Sequence, residues 1–277
     1  VEMGDYDKAM EIYTPALKQS EELGDKRGMA SSLNGIGTVH HDKGDLDKAL
    51  DYYERSLAIR EEIGNNYQIG MSLNNIGLVH FDKGDLDKAL DYYAMSLAIA
   101  EELGHKSGIS LTNIGLVNHE KGDYDKALDY HNRSLAIEEE FGDKYGMGVS
   151  LNNIGNVHWH KGDYKKAEDY LEKSLAIQKE IGLGGELPLW TNTHLYLTYK
   201  HFGKDYDEKE IHTLIKETEN IGCQLNLRLY ELLEDTSYLE SAYNQVQELA
   251  SAIDEELGKK VLSYPIPKAI VEEWEKV

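Results

Sequence analysis

Apolar residues recur along this chain at helical spacing, in blocks too short for one long helix. Between Gly70 and Gly104, residues Met71, Leu73, Ile76, Gly77 and His80 run at helical spacing, and Lys83-Gly84 then breaks the pattern. Leu86, Ala89, Leu90, Tyr93, Leu97 and Ile99 resume an apolar stripe. Asp85 is placed to cap that second block, and Asp87 puts a negative charge in its first turn, where the helix dipole favours one. Glu101-Glu102-Leu103-Gly104 ends it, with glycine where a left-handed cap residue is wanted. The segment therefore reads as two helices joined by a glycine turn.

The same reading applies along much of the chain. GDYDKA begins at Gly4 and Gly122, GDLDKA at Gly44 and Gly84, and GDYKKA at Gly162, in steps of 40, 40, 38 and 40 residues. The short step is local: Gly104 to Gly108 holds two residues fewer than Gly64 to Gly70. A second phrase keeps phase with the first, as SLNGIG from Ser32, SLNNIG from Ser72 and Ser150, and SLTNIG from Ser110. Terminal glycines recur at Gly24, Gly64, Gly142 and Gly182. Small residues recur inside both helices: Gly37, Gly77, Gly115 and Gly155 in the first, Ala49, Ala89, Ala127 and Ala167 in the second. A helical glycine costs about 1 kcal/mol against alanine, so its return at one phase points to close helix approach.

On Gly77, Gly84, Leu86, Ala89, Tyr93 and Ser96-Leu97, the unit resembles the tetratricopeptide repeat. The family's first-helix tyrosine is replaced by His40, His80, Asn118 and His158, and its terminal proline by Glu or Arg. The period exceeds the family's standard by six residues, so each helix is expected to be longer by about a turn. In this, and in the Leu-Asn-Asn-Ile-Gly phrase, it is similar to kinesin light chain and Pins-type adaptor arrays. The resemblance runs from Gly4 to Gly182. It implies an all-α fold, a right-handed α-solenoid of stacked helix–turn–helix repeats.

The expected organisation is a second helix of a truncated repeat over 1–27, the repeat array over 28–182, two degenerate helical hairpins over 183–258 and a capping segment over 259–277. Because Val1-Glu2-Met3 aligns with the tail of a first helix, the chain reads as a piece of a longer protein. The rival is an open end that docks on another chain, since Tyr6, Ala9, Met10, Tyr13 and Leu17 would be uncovered. Leu187 to Phe202, Tyr206 to Ile221, Leu225 to Leu233 and Tyr238 to Ala250 are expected helices. A last one, with Ile270, Val271 and Trp274, follows Tyr264-Pro265-Ile266-Pro267 as a cap or as a docking peptide.

The resemblance implies a concave groove lined by first helices. Its candidate peptide-binding residues are Asn34, Thr38 and His41; Asn74, Asn75, Leu78 and Phe81; Thr112, Asn113, Leu116 and His119; and Asn152, Asn153, Asn156 and Trp159. An asparagine amide offers an acceptor and two donors, so a ladder of them can satisfy an extended backbone. Apolar groups such as Leu78, Phe81, Leu116 and Trp159 would select side chains. The competing reading is structural: Asn75, Asn113 and Asn153 bridge neighbouring helices, and Phe81 and Trp159 belong to the core. The cations with which chaperone-tail binders of this family clamp a carboxylate are absent; Asn34, Asn74, Thr112 and Asn152, then Asp42, Asp82, Glu120 and His160, stand there.

Charge sharpens the choice of partner. The 277 residues carry a formal net charge of −22, which disfavours nucleic acid and anionic membranes and favours a basic protein or peptide. No apolar run could span a bilayer, and a cytoplasmic location is expected. The lone Cys223 allows no internal disulfide. His40-His41 and His158-Trp159-His160 are too closely spaced along a helix to chelate as pairs, and Glu138-Glu139-Glu140 reads as a solvated face. No catalytic set, metal site or cofactor is expected. The function expected is a protein-binding scaffold. The alternatives are a regulatory or sensor module of a larger signalling enzyme (kinase, cyclase, NTPase or protease) and self-assembly into a homo-oligomer through exposed repeat ends.

Overall fold

The computed structural model describes residues 3–104, 106–218, 220–253 and 255–277, with side chains from Tyr6 onward. Among these residues every regular element is an α-helix. They run α1 (Met3–Leu23), α2 (Lys26–Asp42), α3 (Leu46–Ile63), α4 (Asn66–Asp82), α5 (Leu86–Glu102), α6 (Gly108–Glu120), α7 (Tyr124–Phe141) and α8 (Lys144–His160). There follow α9 (Tyr164–Glu180), α10 (Glu186–Phe202), α11 (Glu208–Glu217), α12 (Cys223–Leu233), α13 (Thr236–Ser251), α14 (Glu255–Ser263) and α15 (Pro265–Trp274). The chain falls into two compact units, residues 1–110 and 111–277, and the division lies inside α6.

Helix ends follow the local chemistry. Asp25, Asn65, Asp85 and Asp143 each accept a backbone N–H from the first turn of the helix they precede. Gly64 closes α3 at φ 72°, where its N–H reaches the carbonyls of Arg60 and Glu61. A side chain would be strained at that angle.

Each hairpin then closes on one near-contact. A methyl group on Gly37 would lie 2.8 Å from the Tyr53 ring, and one on Gly77 would lie 2.8 Å from Tyr93. In the second unit a methyl on Gly115 would meet His131 at 2.5 Å, and one on Gly155 would meet Leu171 at 2.7 Å. The opposing side chains are all buried. Beside this contact the second helix ties itself to the first: Ser56 donates to Ala30 O at 2.8 Å, Ser96 to Gly70 O at 2.9 Å and Ser174 to Gly148 O at 2.7 Å. Each tie contributes about 1 kcal/mol net.

One further position links a repeat to the next. Arg60, Glu138 and Gln178 stand sixteen residues after Gly44, Gly122 and Gly162, and all three are buried. Arg60 Nη1 donates to Gln68 O at 3.0 Å and to Ser72 Oγ at 2.7 Å. Gln178 Nε2 donates to Thr191 Oγ1 at 2.7 Å. Glu138 accepts from Ser134 at 2.8 Å, so it does not belong to the solvated face expected for its run. The same place in the remaining repeat holds Ala100.

The histidines at the position expected to be aromatic stack on second-helix tyrosines: His40 on Tyr52 and His80 on Tyr92, both at 5.4 Å, and His158 on Tyr170 at 5.6 Å. At the start of the chain, Val1 and Glu2 lie outside the described residues, and Gly4 sits within α1 rather than at a turn. Tyr6, Ala9, Met10, Tyr13 and Leu17 are half-buried, because α1 packs on α2; a methyl on Gly35 would touch the Tyr13 ring. The exposed apolar residues of α1 are instead Ile12 and Leu23. Near the other end α11 stops at Glu217, short of Ile221, and α14 is a helix that the sequence pattern did not announce. Leu227, Leu239, Ala242 and Val246 form one core with Ile266 and Ile270, so α15 covers α12 and α13. Among the described residues no helix is long and apolar enough to cross a membrane.

Gly77→Ala is expected to lower stability by about 1–2 kcal/mol, since overpacking outweighs the gain in helix propensity. In a Tyr93→Ala background the same change is expected to stabilise. Urea unfolding of the four proteins checks this, and an equal effect in both backgrounds would remove the near-contact as the cause.

His131 is fully buried, neither ring nitrogen has a partner among the described residues, and burial pushes its pKa down to about 3. Because the folded value lies below the unfolded value of about 6.5, unfolding takes up a proton between these limits. Stability is complete above about pH 6.5 and falls, as pH drops toward 3, by up to about 1.4 kcal/mol per unit. His131→Leu, which copies Leu171 one repeat on, is expected to raise the melting temperature at pH 7 and to raise it further at pH 5. A constant increment at both values would contradict the buried neutral ring.

Candidate functional site

Helical geometry places Asn34, Thr38 and His41 along α2, and Met71, Asn74, Leu78 and Phe81 along α4, at spacings of three and four residues. Both helices belong to the first unit. Thr38 is exposed, and Leu78 keeps 38% of its surface in solvent. Phe81 is half-buried. Asn75 Nδ2 donates to Asn34 Oδ1 at 3.1 Å, which joins α4 to α2 as the structural reading of Asn75 expected. Asn74 Nδ2 donates to Ser96 Oγ at 2.7 Å and to Ser110 Oγ at 3.1 Å, while its Oδ1 is shut off from solvent without a donor. Thr38 Oγ1 donates to Asn34 O at 3.1 Å and accepts from Tyr53 at 3.2 Å.

His41 Nε2 lies 2.6 Å from Asp82 Oδ2. The Asp82 carboxylate raises the His41 pKa above its ordinary value, against the opposing effect of burial, and Asp42 adds to the rise. Asp82 is therefore paired within the chain to His41, and Asp42, 3.6 Å from the same ring, is slightly the more open of the two carboxylates.

In the second unit the expected face is largely covered. Thr112 Oγ1 is 2.8 Å from Ser134 Oγ, and Asn113 and Leu116 are half-buried. Asn152 is buried and accepts from Thr191 at 3.0 Å, so it faces the next helix rather than a groove. His119 is buried as well. Asn153 Nδ2, Asn156 Oδ1 and Trp159 Nε1 are closed off from solvent with no partner among the described residues.

The cover is α12. It brings the Arg228 guanidinium 4.6 Å from the centre of the Trp159 ring. Arg228 is itself buried and pairs with Glu231 at 2.6 Å. His160 and His194 set their rings against Trp159 at 5.1 and 5.6 Å, and His119 lies 4.8 Å from His160. Burial first, then the neighbouring cations, push His160 down and His194 to about 3. The cover extends to the α6–α7 turn, where a methyl on Gly122 would lie 3.4 Å from Pro265. Cys223, at the start of α12, is half-buried, and its thiol is pushed up to about 11, chiefly by burial. His119, Asn152 and Trp159 thus do not form the open groove expected of them. Reading the sequence missed Arg228, whose partner Trp159 lies 69 residues away with no shared motif.

A guanidinium over a half-buried tryptophan contributes about 1 kcal/mol. Arg228→Ala is expected to speed amide exchange in α12 and in the last turn of α8, with α2 to α4 unchanged. Unaltered exchange at residues 156–160 would show that Arg228 does not hold the cover.

A family model described as tetratricopeptide repeat matches residues 1–62, 68–140 and 108–180. No curated protein matches the chain. Among solved structures, aspartyl phosphate phosphatase F from Bacillus subtilis is similar with TM-score 0.67 and 16% identity, over 99% of this chain and 67% of that one. A signal transduction ATPase with numerous domains and a tetratricopeptide repeat sensor, PH0952 from Pyrococcus horikoshii, gives TM-score 0.63 and 19% identity over 86% and 36%. BtubC (BKLC) from P. vanneervenii gives 0.62 and 17% over 76% and 88%. At such identities the likeness is one of fold.

Proposed function

The chain belongs to the tetratricopeptide repeat family, and we propose that it is a scaffold binding an extended, basic segment of another protein on the first-unit face of α2 and α4. The observation that carries this reading is the exposure of Thr38, Leu78 and Met71 on first helices joined by the Asn75–Asn34 amide pair. An exposed leucine and methionine beside a pair of amides can take up a side chain and a backbone together. The net charge of −22 favours a basic segment. Thr112, Asn113 and Leu116 can act on a ligand only as half-buried groups. Trp159 can do so only once Arg228 of α12 moves.

A second reading, a regulatory module of a larger signalling protein, takes its support from the similar Pyrococcus horikoshii protein, whose repeats are described as a sensor. A catalytic domain in the same polypeptide would favour it.

Peptides selected on the full chain for binding are expected to be rich in Lys and Arg. Their affinity should fall as salt rises from 50 to 300 mM, because exposed charges are screened within about 10 Å. The double change Thr38→Lys, Leu78→Lys alters exposed positions, sets like charge against a basic segment and is expected to reduce affinity by about 5- to 30-fold, which corresponds to about 1–2 kcal/mol. Equal binding by the variant, at unchanged helicity, would move the site off this face.

A further inference from the structure

The repeat that holds Ala100 differs from the others in two ways that coincide in space. Where Arg60 and Gln178 hydrogen-bond to the following repeat and Glu138 packs against Gly146 of the next helix, Ala100 has only a methyl group. The following helix is also short at its start. Counted back from the matching serines Ser72 and Ser110, α4 has six residues before its serine and α6 has two, so α6 lacks one turn. Together the missing side chain and the missing turn leave a cleft of about 230 Å³ within the first unit. That exceeds the roughly 150 Å³ that admits a benzene ring in an engineered protein cavity.

The lining of the cleft is specific. Tyr67, Met71, Leu103 and Ile109 form apolar walls and are 61, 47, 39 and 72% exposed. Asn74 and Ser96 line it more deeply, and Asn74 Oδ1 has no donor. Ser110, which accepts from Asn74, stands where Ser72 accepts from Arg60 one repeat earlier, and the Lys106 carbonyl corresponds to that of Gln68. The chain has thus filled this place once with a long stem tipped by N–H donors.

We propose that the Ala100 cleft is a subsite for an arginine side chain of the bound protein segment. The proposal rests on the binding reading above and names one residue that the segment carries. The stem lies along Tyr67, Met71 and Ile109, as long cationic side chains lie on apolar surface elsewhere. The guanidinium takes the place of the one that Arg60 supplies, and because Asn74 Oδ1 is closed off from solvent, a turn of the Asn74 side chain brings that oxygen to the new donor. A carboxylate tip could not do this, and an apolar tip would leave the amide oxygen unsatisfied. Lys106 adds a cation to the lining, so geometry and hydrogen bonds hold the group more than local charge does, while the acidic chain supplies long-range attraction.

Nα-acetyl-arginine amide titrated into the isotope-labelled full chain is expected to shift the Asn74 side-chain amide and the Ala100 backbone resonance. Nα-acetyl-norleucine amide and Nα-acetyl-glutamate amide should bind at least about fivefold more weakly. Ala100→Arg fills the cleft from within, as Arg60 does, and is expected to abolish the response without lowering the melting temperature. Asn74→Leu keeps the cleft, removes the acceptor and is expected to weaken the response. No shift, equal shifts from the norleucine probe, or an undiminished response in Ala100→Arg would overturn the subsite. Concentration-dependent association of the unliganded chain that Ala100→Arg abolishes would also overturn it, by making a second copy the occupant. A selected basic peptide separates the two readings: loss of binding with Thr38→Lys, Leu78→Lys but not with Ala100→Arg sinks the subsite alone, and the reverse sinks the α2–α4 face.

Discussion

A glycine on each first helix lets the second helix come so close that not even a methyl group would fit between them. Tyr53, Tyr93, His131 and Leu171 are buried against Gly37, Gly77, Gly115 and Gly155. The approach sets the hairpin, the serine-to-carbonyl ties lock it, and the glycine turns allow the next hairpin to follow. Side chains one step further round the first helix, among them Thr38 and Leu78, are thereby held in fixed places. A helical glycine is unfavourable by itself, so the repeat keeps it only because packing more than offsets the loss.

The two units use the same face differently. In the first, α2 and α4 leave Thr38 and Leu78 in solvent, with an amide pair beside them. In the second, α12 lays a guanidinium on Trp159, and the surrounding histidines are held neutral by burial. Buried neutral histidines beside a buried arginine favour the closed arrangement at neutral pH and oppose it in acid. Unpartnered polar atoms on Asn153, Asn156 and Trp159 show that the cover is not a fully satisfied core.

Much of the fold was legible because its rules are local. Period, turn glycines, Asp85 as a cap and the small residues of the first helix all act within one hairpin and repeat, so one chain shows each several times over. The site was less legible because its determinants are long-range or singular. Asn152 faces Thr191 only because α10 is placed beside α8, and no motif links Trp159 to Arg228. Glu138 looked like part of a solvated run, since burial depends on a neighbouring helix that the run itself does not reveal. Ala100 is informative only in comparison with Arg60, Glu138 and Gln178, and its meaning depends on the turn that α6 lacks. The end of α11 and the presence of α14 fall where the repeat has decayed and offers no register to compare.

Where a partner lands is the point on which this account stands or falls. Amide exchange of the full chain, with and without a saturating basic peptide selected for binding, measures that directly. Protection is expected in α2 and α4, with residues 147–160 of α8 unchanged. Protection concentrated in α8, or on the second helices α3 and α5, would contradict the assignment of the binding face.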